Sequence, residues 1–182
     1  MVDKKRQEKL NKLVIDINSD DSKRISKAIK SLESHGNASV IKPLALRLMT
    51  DIPEKNKIEI LELLSSLKDT STCVEIMDIV GDEKFISIRQ RILSTIWNTK
   101  IDYSDYLDDF VAIAAKGDLL EALDCLTIIE NLDGPFMEVS VLESQLHLKN
   151  YLESVRSKDD KKAHIISEIA LKIKEIDLRL MD

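Results

Sequence analysis

The sequence predicts an all-α fold arranged as an array of helix pairs, an α-solenoid, and three observations carry the prediction. The chain holds only 4 Gly and 3 Pro in 182 residues, far below the average usage of about 12%, which argues against a turn-dense sandwich or a Gly-rich phosphate-binding fold. Its apolar residues recur at i, i+3, i+4 and i+7 in short segments between brief breakers. The second helix of each pair starts at Asn37, Thr70, Asp102 and Phe136, spacings of 33, 32 and 34 residues. A period of that length is one helix pair whose open face only its neighbours can cover.

Taken in chain order, residues 3–17 read as a basic capping helix with Leu10, Leu13, Val14 and Ile17 inward. Asp20 and Asp21 are N-cap candidates for a helix carrying Ile25, Ala28, Ile29 and Leu32, which His35-Gly36 closes with a left-handed glycine. Asn37 caps the next helix, with Val40, Ile41, Leu44 and Leu48 inward and Pro43 near its start. Pro53 reads as the first position of a helix through Leu67 bearing Ile58, Leu61, Leu64 and Leu67. A shorter one with Cys73, Ile76, Met77 and Val80 stops at Gly81, and another from about Lys84 to Asn98 carries Phe85, Ile88, Ile92 and Ile96. The segment from Ser104 to Lys116 places Leu107, Phe110, Val111 and Ala114 on one stripe. Asp118-Leu119-Leu120-Glu121 has the spacing of a capping box, opening a helix with Ala122, Leu123, Leu126 and Ile129 inward.

The chain runs Asp20-Asp21-Ser22-Lys23-Arg24-Ile25 through Leu32, then Gly36-Asn37-Ala38-Ser39-Val40-Ile41-Lys42-Pro43-Leu44 and Leu48-Met49-Thr50-Asp51, with a second echo in Asp82, Ile88-Arg89 and Ile92. On these residues the stretch from about 20 to 131 resembles HEAT-like repeats of the type found in phycobilisome lyases. It implies a right-handed α-α superhelix of about four helix pairs between terminal capping helices. It also implies an interaction scaffold more often than an enzyme, the enzymes being lyases and DNA-alkylation glycosylases.

The whole chain, 1–182, reads as one solenoid domain: a cap over 1–18, helical pairs over 20–135 and a long helical hairpin over 136–182. The hairpin's helices, 137–156 and 161–181, are joined by Ser157-Lys158-Asp159-Asp160. In the second, Ile166, Ile169, Ile173, Ile176 and Leu180 step by 3, 4, 3, 4 and form a heptad seam. Two uses of that seam are open, packing against its own neighbour or homodimerisation.

Charge narrows the function classes. The net charge of −6 divides into 9 basic against 5 acidic side chains over residues 1–30, and 6 basic against 16 acidic over residues 61–138. A negative central field repels phosphate backbones, so nucleic acid is disfavoured, and a basic protein partner is favoured. Phosphate-binding loops, nucleophile elbows and HExxH motifs do not occur, and Cys73 and Cys125 lack metal-ligand spacing, so no catalytic residue, cofactor or metal is expected. The absence of a long apolar run makes a cytoplasmic protein without a membrane span the expectation. Five of the seven aromatics fall between Phe85 and Phe110. Asp102, Tyr103, Asp105, Tyr106 and Asp109 interleave rings with carboxylates there, a pattern suited to a Lys- or Arg-bearing segment. The leading expectation is therefore a non-catalytic interaction scaffold that uses this third repeat; a HEAT-like enzyme and a homodimerisation module are the alternatives.

Overall fold

The computed structural model describes residues 2–154 and 160–181, and among these the chain is all-α, with no strand. Among the described residues ten α-helices follow one another: α1 Val2–Ile17, α2 Ser22–His35, α3 Ile41–Leu48, α4 Glu54–Ser65, α5 Thr72–Gly81, α6 Ile86–Ile96, α7 Leu107–Lys116, α8 Leu119–Glu130, α9 Glu138–Ser154 and α10 Asp160–Met181. Short 3-10 turns, Ala38–Val40, Glu83–Phe85 and Ser104–Tyr106, lead into α3, α6 and α7. No described helix is long and apolar enough to cross a membrane. The segment expected to join the last two helices lies, up to residue 159, outside the described residues. Contacts divide the chain into two units, Met1–Ile101 and Asp102–Asp182.

In the first unit, α1 packs on α2, α2 on α4 and α4 on α6, forming one row, while α3 packs on α5 beside it. The helix starts follow the expected capping chemistry. Asp21 Oδ1 accepts from the Lys23 and Arg24 amides at 2.8 and 3.4 Å, and Asn37 Oδ1 accepts from the Ser39 amide at 3.1 Å. Each satisfies a donor that the first turn leaves without an intrahelical partner. The predicted stripes of α2, α3, α5 and α6 are all buried, because in these helices the inward positions are apolar and the 3.6-residue period is therefore visible.

Two expectations are corrected here. Gly36 is extended, φ −67° and ψ 163°, not left-handed. Its amide donates to Leu32 O at 2.7 Å, and a Cβ would sit 2.7 Å from that same oxygen. Glycine is needed for room, not for handedness. Helix α4 turns a different face inward: Ile60, Leu63 and Leu64 are buried together with Asn56, whereas Ile58 is 49% exposed. Asn56 is the reason. Its side chain accepts from Ser22 Oγ at 2.7 Å and donates to Ser22 O, Ser26 Oγ and Glu59 Oε2 at 3.0 to 3.1 Å. Ser26 Oγ also donates to Glu59 Oε2 at 2.6 Å. A buried amide with its bonding capacity met fixes α2 against α4.

In the second unit, α7 packs on α8 and α9, and α10 covers all three. The capping box is present in both directions, Asp118 N–H to Glu121 Oε2 at 3.0 Å and Glu121 N–H to Asp118 Oδ1 at 2.9 Å. Behind it α8 buries Ala122, Cys125, Ile128 and Ile129, while the expected Leu123 is 47% exposed; Cys125 supplies apolar bulk where the period would otherwise lapse. Ile166, Ile169, Ile173 and Ile176 are at most 3% exposed, so four of the five seam residues are spent on the chain's own core, each burial contributing about 1.5–3 kcal/mol. Leu180, at 43% exposure, lies past the buried stretch. Lys162 Nζ donates to Ala115 O at 3.0 Å and Gly117 O at 2.5 Å, placing a cation on the carbonyl end of α7.

Helix α9 turns a mixed stripe inward, two serines among its buried residues, and leaves large apolar side chains facing out. Ser140, Val141, Ser144 and Leu148 are buried, and Ser144 Oγ bonds back to Ser140 O at 2.7 Å. Val139, Leu142 and Leu146 face out at 58, 55 and 48% exposure.

Candidate functional site

The interleaved aspartates and tyrosines are positioned by the turn that opens α7. Asp102 Oδ1 accepts from the Ser104 amide at 3.1 Å and from Ser104 Oγ at 2.6 Å. The same hydroxyl accepts from the Gly134 amide at 2.9 Å, tying this turn to the loop after α8. Asp102 is exposed but occupied in holding its own turn.

Tyr103 is a correction. At 2% exposure it is a core ring, not a surface anchor. It meets Phe110 edge-on, centroids 6.2 Å apart at 68°, and stands 6.4 Å from the Tyr106 ring, arrangements that the ring quadrupole favours. The inward direction is encoded. Tyr103, Leu107, Phe110 and Ala114 are spaced 4, 3 and 4, so Tyr103 extends the buried stripe of α7 by one turn.

The remaining members lie at the surface. Asp105 and Asp109 are exposed and Tyr106 is half-buried. The Asp109 carboxyl is held above its ordinary value, first by partial desolvation and then by the neighbouring Asp108, with His147 of α9 opposing the rise. Three of the five expected residues, Asp105, Tyr106 and Asp109, therefore keep solvent-reachable surface outside the capping of the turn.

A second site, in the first unit, has no counterpart among the sequence motifs. A cavity of about 470 Å³ opens where α2 and α3 face α4 and the start of α5, within the size range of ligand-accepting clefts, about 300–1,000 Å³. Leu32, Val40, Ile41, Leu44, Leu63 and Leu67 make its apolar wall; Glu33, Glu62, Lys68 and Asp69 stand on its polar rim. Gly36 lines it without a side chain, which keeps that corner open. The Asp69 carboxyl is held below its ordinary value by the Ser71 amide, whose N–H donates to Oδ1 at 2.9 Å. It is a fixed anion near neutral pH and not a proton shuttle. The rim thus carries three carboxylates against one ammonium. The sequence signals nearest to this cavity are the two breaks that frame it, His35-Gly36-Asn37 and Lys68-Asp69-Thr70.

Elsewhere on the first unit, the side chains of Lys4, Lys5, Arg6, Lys9 and Lys12 are exposed along α1. Cys73 and Cys125 are buried thiols, and among the described residues no group of three His, Cys, Asp or Glu is placed to hold a metal ion. Comparison of the chain with protein-family models, with curated proteins and with solved structures gives no match.

Proposed function

We propose that this protein is a non-catalytic protein-interaction module of the HEAT-like α-solenoid type, which receives an apolar side chain of a basic partner segment in the cavity of its first unit. The row α2, α4, α6 beside the pair α3, α5 is the packing expected when helix pairs stack, and it supports the solenoid reading for this unit. The observation that carries the function is the cavity: an apolar wall to bury one anchor residue and a rim of Glu33, Glu62 and Asp69 to select Lys or Arg beside it. A carboxylate kept ionised by its own turn suits binding better than acid-base chemistry.

The surface left on the third repeat supports a second reading, in which Tyr106 with Asp105 and Asp109 receives the basic segment. One experiment separates the two. Selection of displayed random peptides on the full chain is expected to enrich sequences that pair an aliphatic or aromatic residue with Lys or Arg. Glu33→Lys with Glu62→Lys then weakens the selected peptide at least tenfold by fluorescence anisotropy and leaves the melting temperature near that of the parent, since both side chains are exposed. Loss of binding in Asp105→Ala with Tyr106→Ala, and not in the cavity pair, moves the site to the third repeat. Enrichment of acidic peptides, or of none, removes the proposal.

A further inference from the structure

The outward face of α9 is unusual for a helix in a packed unit, and its chemistry specifies what covers it. At 100° per residue, Val139, Leu142 and Leu146 fall on the side opposite the buried Ser140, Ser144 and Leu148. Their spacings of 3 and 4 continue to Lys149, so the four positions form the a/d stripe of a short heptad seam. Lys149 is on the surface: its side chain is 70% exposed and pairs within the helix, with Glu153 at 3.9 Å.

From this we propose that the protein self-associates through α9, two copies laying this stripe against each other in antiparallel register. The stripe is complementary to itself in that direction and no other. With the two-fold axis level with Ser144, Leu142 meets Leu146 of the second copy, and Val139 meets Lys149. The ammonium then lies beside Glu138 of the second copy, and the same pair repeats at the far end by symmetry. A parallel pairing sets Lys149 against its own equivalent and loses both contacts. One element of the antiparallel register is unfavourable: the two Glu143 side chains fall on the same side of the axis, next to each other. An interface of one helix per copy is at the small end of specific interfaces, so the dimer is weak, with a dissociation constant of about 10–100 µM. It is separate from the cavity of the first unit and does not depend on what binds there.

Sedimentation velocity of the full chain over roughly 5–500 µM, the window this affinity requires, tests the proposal. The expected result is a reversible rise from monomer to dimer. Leu142→Glu with Leu146→Glu, both exposed in the monomer, abolishes the rise. Lys149→Glu weakens it about tenfold, Lys149→Glu with Glu138→Lys restores it, and Glu143→Gln tightens it severalfold by removing the like-charge pair. Leu171→Glu with Leu178→Glu, on the exposed face of α10, leaves it unchanged. A parent chain that is monomeric at the highest concentration overturns the proposal, as does a dimer that survives the α9 leucine changes or is lost with the α10 pair. Circular dichroism of each variant shows whether the fold is kept, and the charge-swap restoration and the gain from Glu143→Gln are outcomes that unfolding cannot mimic.

Discussion

Each unit of the molecule contains a helix contact that buries polar side chains, Asn56 in the first and Ser140 with Ser144 in the second, and the two work by different physics. In the first, α2 and α4 meet across Asn56, whose amide reaches Ser22, Ser26 and Glu59. In the second, α9 turns Ser140 and Ser144 inward toward its neighbours, and the Ser144 hydroxyl bonds to the helix it belongs to. The first contact is specified by hydrogen bonds between helices, which tolerate one rotation and register. The second is specified by size: small side chains let a helix approach closely, and their polarity is satisfied locally. Buried polar residues thus set register in one unit and spacing in the other.

The sharpest way to break that comparison is to remove polarity while keeping volume. Asn56→Leu fills the same space but leaves Ser22 O and a part-buried Glu59 carboxylate short of a donor. The expected cost is about 2–3 kcal/mol, the range for a lost hydrogen bond to a charged group together with desolvation of the groups left behind. It is read as a lower urea midpoint with faster hydrogen exchange in α2 and α4. A neutral or stabilising Asn56→Leu would show that the network contributes no specificity.

Next in size is the reverse operation on α9, changing bulk instead of polarity. Ser144 is fully buried, so Ser144→Leu pushes α9 outward at a cost of about 1–3 kcal/mol, typical of overpacking. Ser144→Ala stays within about 0.5 kcal/mol of the parent, because only a local bond to Ser140 O is lost. Equal penalties for the two substitutions would mean that the hydroxyl bonds across to another helix and that the contrast between the units is wrong.

The same contrast explains what can be read from the sequence. Helices α2, α3, α5, α6 and α7 are legible because their inward positions are mostly apolar, so the helical period is visible. Where an inward position is Asn56, Cys125, Ser140 or Ser144, the apolar residues that remain define a stripe displaced from the true one. In α4 this nominates Ile58, and in α8 Leu123, both of which face solvent. The caps at Asp21, Asn37 and Asp118 are legible because a cap is a local bond between neighbours in sequence. The candidate site is legible only in part. The charge of its sequence neighbours assigns Tyr103 to the surface, although its spacing to Leu107 and Phe110 points inward. The cavity is not legible at all, since its wall is assembled from separated segments and one of its determinants is the side chain that Gly36 lacks.

The smallest expected effect concerns the surface of the second unit. Burial and the adjacent Asp108 raise the Asp109 carboxyl above its ordinary value of 3.8, so the folded chain holds that proton more tightly than the unfolded chain does. The sign follows from linkage: the charged form is disfavoured in the folded state, so Asp109 lowers stability above its raised value, and the deficit fades as pH falls through that value toward 3.8 and below. Asp109→Asn removes the charge and is expected to raise the melting temperature slightly at pH 7, with the difference from the parent shrinking toward zero as acid protonates the native carboxyl. Because solvent still reaches this side chain, the gain is small. An advantage that is constant with pH would mean that an amide is preferred at this position for packing alone, and that the edge of α7 carries no electrostatic strain for a basic partner to relieve.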